Sequence, residues 1–337
     1  MARPSEEFLL AWSSLSCNEE DAPGWQAISL PPAGPVEIEA GRRSPDNAEA
    51  VLFRFPAGRL ARAERLPEGR GFVVEKADST DHEGLRLALT RQAAGSTELF
   101  VAMACDVVGA IDDSVANGFS EPQLLRLLIA RVIAWQQFMS RGASPLGPDA
   151  ELGLVGELDF IGILLDLGVP AEETLKGWVG PDDAPQDFLL GEGAIEVKAT
   201  MSSSGFPVKI GSLEQLDDSV LSPLFLAAVR FVRDEGGVTL PEMVAEVERR
   251  LANDPGTIDL LRQRLIVAGY SETHASHYIR RFEPKERRIL AVSEGFPRLT
   301  SGSVPAGVTR TLYEINLDHA REFLSDLGTA LKTLGAT

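Results

Sequence analysis

Along the first third of the chain, apolar and polar positions alternate in short stretches. Gly24–Pro31, Val36–Glu39, Ala50–Pro56, Gly71–Lys76, Leu85–Thr90 and Glu98–Cys105 each read as a strand, with Pro or Gly between them. Alternation of this kind predicts an antiparallel sheet with one wet face. Residues 1–115 are therefore expected to form a β-rich N-terminal domain. No internal repeat and no catalytic constellation is found in it. It reads as a scaffold or docking module, with recognition of a nucleic acid as the sharper alternative.

The period then changes. Leu124, Leu127, Leu128, Arg131, Val132, Trp135 and Phe138 recur at helical spacing. Ser120 with Gln123 forms a capping-box signal, Pro122 falls in the first turn, and Gly142 is a stop. This helix and the Pro/Gly-rich loop after it make a connecting segment over residues 116–148. A second helix is expected from Asp149 to Leu167, burying Leu154, Leu158, Ile161 and Leu165, with Gly153 and Gly156 open to a close neighbour. Glu157 lies beside that stripe. A hairpin comes after it, then strand Phe206–Ile210, a capped helix at Ser212–Leu216, and the buried strand Leu224–Val232. Helices over Leu240–Leu251 and Gly256–Ala268 come next, then strands Arg287–Val292 and Thr311–Leu317, and a last helix from Asp318 to Leu334. Residues 149–337 thus read as an α/β layer structure around a mixed sheet.

The hairpin carries the chemistry. In Asp187–Lys198, Gly191-Glu192 suits a two-residue loop with Gly first, as a type II′ turn prefers. That register sets Leu190 against Gly193, Leu189 against Ala194, Phe188 against Ile195 and Asp187 against Glu196. Side chains alternate faces, so Phe188, Ile195 and Val197 share an apolar face while Asp187, Glu196 and Lys198 share the other. Opposed carboxylates repel. A divalent cation removes that repulsion, and hard oxygen ligands suit Mg²⁺ or Mn²⁺. A Lys beside the cation completes a set suited to metal-assisted phosphodiester hydrolysis. In an acid-rich chain the same string also arises as an ordinary solvated strand face.

Composition narrows the picture only partly. The 337 residues are 44% hydrophobic and 24% charged, ordinary values for a globular protein of one or two domains. No apolar run is long enough to span a membrane. The first residues, Met1–Glu7, show no secretory pattern, and Cys17 and Cys105 show no metal-ligand spacing, so a reduced, cytoplasmic setting is expected. His82, His274, His277 and His319 complete no metal set. The net charge of −18 argues against general nucleic-acid binding. The segment 277–288 is the exception, because Arg280, Arg281, Lys285, Arg287 and Arg288 there face only Glu283 and Glu286. The four arginines are the candidate DNA contacts, with a plain solvated helix end and strand start as the alternative.

Taken in order, Glu157, Pro185-Gln186-Asp187 and Glu196-Val197-Lys198 resemble the PD-(D/E)XK nuclease superfamily. More closely, the chain is similar to a bacterial family of PD-(D/E)XK proteins linked to restriction and phage-defence loci. The likeness rests on Gly156-Glu157, Ile195–Thr200, Ser212–Leu216, Gly295–Arg298 and the Val308–Leu317 segment. It implies a restriction-endonuclease-like core behind the β-rich domain, and a metal-dependent DNA endonuclease. Under it, Asp187, Glu196 and the Val197 carbonyl are implied as metal ligands and Lys198 as the group that positions water or offsets phosphate charge. Glu157 is implied as an outer ligand, Gln215 as the polar residue closing the site, and Lys209 as a phosphate contact. Gln186 departs from the pattern by separating Pro185 from Asp187. The implied partners are DNA, a second copy of the chain, and an ATPase or methyltransferase of the same locus. The competing expectation is a non-catalytic DNA-binding or assembly subunit on the same fold. An RNA-cleaving toxin ranks last, because no aromatic residues are spaced to stack single-stranded bases.

Overall fold

The computed structural model describes residues 4–15, 23–60, 65–77 and 84–336. His82 and Cys17 lie outside the described residues. The chain divides into two compact units, Met1–Ser144 and Pro145–Thr337.

In the first unit, helix α1 (Ser5–Ser14) precedes strands β1 (Gly24–Ala33), β2 (Val36–Ser44), β3 (Ala48–Phe55), β4 (Phe72–Lys76) and β5 (Leu85–Arg91), and helices α2 (Thr97–Ala116) and α3 (Glu121–Ser140) complete the unit. The strands pair antiparallel in the order β1-β2-β3-β5-β4. Five of the six expected strands are therefore present. The sixth is corrected: Glu98–Cys105 is the first half of α2, whose N-terminus the Ser96 hydroxyl caps by accepting from Leu99 N–H. Phe100, Val101, Met103, Ala104, Val107, Val108, Ala110 and Ile111 are buried along it, a helical repeat that only a longer window reveals. Helix α1, not anticipated from the sequence, buries Phe8 and Trp12, and the Trp12 indole donates to the Ala50 carbonyl at 2.9 Å. At α3 the Ser120 N–H and hydroxyl both donate to Gln123 Oε1, at 2.8 and 2.6 Å, so the capping signal is realised.

The second unit begins with α4 (Pro148–Asp166) and α5 (Ala171–Gly177). Strands β6 (Phe188–Leu190), β7 (Gly193–Thr200), β8 (Pro207–Ile210) and β9 (Leu224–Val232) come next. Helices α6 (Leu240–Arg250) and α7 (Pro255–Ala268), strands β10 (Glu283–Ala291), β11 (Tyr313–Asn316) and β12 (Leu324–Ser325), and helix α8 (Leu327–Leu334) complete it. The central sheet is mixed, in the order β12-β10-β9-β7-β6, with β7 parallel to β9 and the other pairs antiparallel. Strands β8 and β11 pair separately. Period-2 burial sends Ile195 and Val197 to a core with Leu154, Leu158, Ile161 and Trp178, while Ala194, Leu224 and Leu226 face a second core with Phe206, Val208 and Leu290. The overall class is mixed α/β, as the sequence predicts. Among the described residues no helix is long and apolar enough to cross a membrane.

Two further expectations are corrected. Ser212–Leu216 forms bends and turns instead of a helix, and Gln215 Oε1 accepts from Gly211 N–H at 2.8 Å. Asp318 caps no long helix. It sits in a 3-10 turn and pairs with Arg288 and Arg321, and the helix starts later, at Asp326, which accepts from Thr329 N–H. Of the two glycines expected on α4, Gly153 has open space around it. At Gly156 a Cβ would stand 2.9 Å from the Ala199 Cβ, so this glycine lets α4 sit down on β7.

A candidate metal-dependent active site

The β6–β7 hairpin has the expected register: Phe188 opposite Ile195, Leu189 opposite Ala194, Leu190 opposite Gly193. Gly191 carries the positive φ of its loop, at +56°. The ladder ends one residue short of Asp187. Instead of simply facing Glu196, the Asp187 carboxylate bends back and accepts from the Val197 N–H at 2.7 Å, so a side chain continues the strand pairing. The Asp187 carbonyl accepts from both Val179 and Gly180 N–H, at 2.8 and 3.0 Å. Asp187 is thus fixed by three backbone donors on two sides.

Glu196 is 0% exposed in the middle of β7. Its Oε2 has no hydrogen-bond donor. Lys198 Nζ meets Oε1 at 2.6 Å. A buried carboxylate satisfied so poorly is costly. Its burial, and then the charge of Asp187, push the Glu196 carboxyl well above the ordinary value. Burial also raises Asp187, against the pull of Lys198 and of the Val197 N–H. Glu157, from α4, is pushed up to about 8 by burial and by Asp187, while the Trp178 indole, donating to its Oε2 at 2.6 Å, works the other way. For Lys198, burial favours the neutral amine, yet Glu196 and Asp187 outweigh it and hold the group above its ordinary value.

Three carboxylates and one ammonium therefore gather where α4, the hairpin and the segment before it meet. Among the described residues no three His, Cys, Asp or Glu side chains already close on one point as a metal cage. Each carboxylate instead spends a contact on a protein donor: Glu157 on Trp178, Asp187 on Val197, Glu196 on Lys198. The donor set still fits a hard divalent cation, because buried Glu196, with Oε2 unsatisfied, lies among like charges that a cation would stabilise. Val197 contributes its N–H to Asp187 and its side chain to the core.

The remaining candidates stand apart from this cluster in their partners. Lys209 is exposed on β8 and paired with Asp149 at 3.1 Å. Arg280 pairs with Glu151, Arg281 with Glu242, Arg287 with Asp159, and Arg288 with both Glu286 and Asp318. Gln215, beyond its bond to Gly211, belongs to a turn held by Gln186, whose buried side chain donates to the Glu214 carbonyl at 2.8 Å. Gln186, a mere interruption of the motif in the sequence, thus ties the closing turn to the residue before Asp187. Trp178 and Gly180 also escaped the sequence reading. Their one local signal is a large aromatic residue set between glycines in Gly177-Trp-Val-Gly180.

A mixed sheet whose second hairpin strand presents Glu-x-Lys, with an Asp at the hairpin's start and a helix Glu beside it, defines a PD-(D/E)XK-like protein. A family model described as "Putative PD-(D/E)XK family member, (DUF4420)" matches residues 9–318, and the chain belongs to that family. No curated protein and no solved structure matches it.

Proposed function

We propose that this chain hydrolyses phosphodiester bonds in DNA with the help of a divalent cation, Mg²⁺ or Mn²⁺, held by Asp187 and Glu196. The observation that carries the reading is Glu196, fully buried with Oε2 lacking any hydrogen-bond donor and Oε1 met by the Lys198 ammonium two residues along the same strand face. Such a group is poorly explained as a solvated strand face. When bound, the cation supplies charge stabilisation at the phosphate oxygens and makes water a better nucleophile. Asp187 keeps its second oxygen for the cation while Val197 N–H occupies the first. Lys198 offers ammonium donors to the phosphate or to the attacking water. Glu157 serves as an outer anchor for the negative cluster. The setting we propose is a restriction or phage-defence system.

One observation favours a second reading, a non-catalytic DNA-binding or assembly subunit. The arginines of the basic segment are all engaged with carboxylates, so the densest basic stretch of this acidic chain already has its charge partnered within the fold. Cleavage of plasmid and phage DNA with Mg²⁺ or Mn²⁺ separates the two. The nuclease reading expects cutting that Asp187→Ala and Lys198→Ala abolish. Absence of cutting by the wild-type chain, alone and with the products of its locus, would favour the subunit.

A further inference from the structure

Between α5 and the hairpin the chain passes through Trp178, which is extended, and Val179 into a 3-10 turn that begins at Gly180. It lies directly against β6: Trp178 bridges Phe188 in antiparallel fashion, and Val179 and Gly180 both donate to the Asp187 carbonyl. The pass behaves as a one-residue third strand of the hairpin, and its closeness is written in glycine. A Cβ at Gly177 would stand 2.4 Å from the Leu189 carbonyl oxygen, and one at Gly180 would stand 2.7 Å from Asp187 Oδ1. On its other side the same pass reaches α4, where the fully buried Trp178 turns its indole N–H onto Glu157 Oε2 at 2.6 Å. The next turn of the chain is tied to α7 by the Arg264–Asp182 ion pair. Three residues therefore hold the Glu157 carboxylate by a directional hydrogen bond and the Asp187 backbone carbonyl by two more, with Gly180 packed beside the Asp187 carboxylate; the two acids come from different elements and are 30 positions apart in sequence.

We propose that the Trp178–Gly180 strap is the positioning element of the cation site. It acts through Glu157 by the indole N–H and through Asp187 by two backbone N–H groups and by the missing Cβ of Gly180. The proposal rests on the metal-site reading above and adds what that reading lacks, a part of the fold that fixes the helix carboxylate against the hairpin carboxylate. A tryptophan conserving only core volume would be replaceable by any large apolar side chain. A tryptophan that aims Glu157 would not. Partners one step removed from a metal typically matter by about ten- to a hundred-fold in affinity.

The test is Mn²⁺ affinity of the full chain by titration calorimetry, with thermal melting in EDTA run alongside. Trp178→Phe keeps an aromatic body and removes the N–H. It is expected to weaken Mn²⁺ binding about ten-fold. Glu157→Ala is expected to weaken it to a similar degree, and the double variant no further, because a residue acting through another leaves nothing to lose once that other is gone. Gly180→Ala is expected to weaken binding in the wild-type background and to have no effect beside Asp187→Ala. Equal affinities for wild-type and Trp178→Phe overturn the role of the strap, as do losses from Trp178→Phe and Glu157→Ala that simply add. Should Trp178→Phe melt far below wild-type, the Gly180→Ala and Asp187→Ala set decides in the same way. No Mn²⁺ binding by the wild-type chain overturns the site reading and the strap together, whereas binding that Glu196→Ala removes and Trp178→Phe leaves intact overturns the strap alone.

Discussion

Two charged regions of the second unit invite comparison: the hairpin cluster of Glu157, Asp187, Glu196 and Lys198, and the basic segment over residues 277–288. Both stand out in the sequence by charge. In the structure they are opposites. The basic segment is resolved charge by charge, each arginine meeting one or two carboxylates. In the hairpin cluster three carboxylates share a single ammonium, and the most deeply buried of them has one oxygen without a hydrogen-bond donor. Paired charge is what a folded chain makes when it serves only its own stability. A buried excess of like charge costs stability, and its persistence points to a group kept for something not part of the chain. The difference separates the two regions better than the density of charge does.

The largest expected effect lies at the buried carboxylate itself. If Glu196 is retained for a cation, Glu196→Gln should end Mn²⁺ binding and reduce DNA cleavage roughly a thousand-fold, since a metal supplies several kcal/mol of charge stabilisation. The same variant should melt no lower than wild-type in EDTA, because it removes a buried charge of raised pKa. A large drop in melting temperature with metal binding intact would turn the comparison around and make Glu196 a structural partner of Lys198.

The basic segment should behave in the contrary manner, and unevenly. Arg280 bonds Glu151, whose side chain is only 6% exposed, and also reaches the Pro148 carbonyl. Truncating one partner of a buried pair leaves the other charge stranded, so Arg280→Ala should cost about 3 kcal/mol in urea unfolding. A much smaller loss would show that the pair does little for the fold and would return Arg280 to the candidate contacts for DNA.

How much of the molecule is legible in its sequence depends on distance along the chain. The hairpin register, from Phe188–Ile195 to the Gly191 turn, is readable because alternation and turn chemistry are local. So is the buried strand Leu224–Val232, whose bounds the structure reproduces. Glu98–Cys105 misleads because eight residues rich in Leu, Phe, Val and Met satisfy a strand as readily as a helix, and only the continuation to Ala116 discriminates. At Ser212 the capping signal is present, but the next residues, Asp217-Asp218-Ser219, do not propagate a helix, and Gln215 turns to Gly211 instead. The pairing of Trp178 with Glu157 and of Arg280 with Glu151 has no local signature at all, being set by how α4 lies against its neighbours. The identity of the acidic and basic residues is visible in the sequence, while which of them are satisfied is a tertiary fact.

Burial of carboxylates beside like charge also predicts a pH dependence of opposite sign to that of ordinary surface acids. Glu157 has a folded-state value of about 8 against an unfolded value near 4.5. Between those limits the folded chain binds more protons than the unfolded one, so stability is fullest below pH 4.5 as far as this group is concerned and declines as pH rises toward 8. The decline should amount to a few kcal/mol at most in EDTA, measured by urea unfolding from pH 5 to pH 8. Glu157→Gln should flatten it. Added Mg²⁺ should recover more stability at pH 8 than at pH 5.5, because the cation binds the ionised form. A flat profile for wild-type would mean that the cluster is already neutralised by groups of the protein itself.

The smallest effect is the one that sharpens the comparison most. Arg281 and Glu242 are 43% and 48% exposed, an ion pair worth well under about 1 kcal/mol, so Arg281→Ala should leave unfolding almost unchanged. That makes Arg281 the place in the basic segment where folding and DNA contact can be read apart. If the segment touches DNA, Arg281→Ala should weaken binding similarly for all sequences and lower the slope of log affinity against log salt by about 1. If its charge is fully spent on Glu242, affinity and slope stay as in wild-type, and the basic segment is then, like its partners, a part of the fold's own electrostatics.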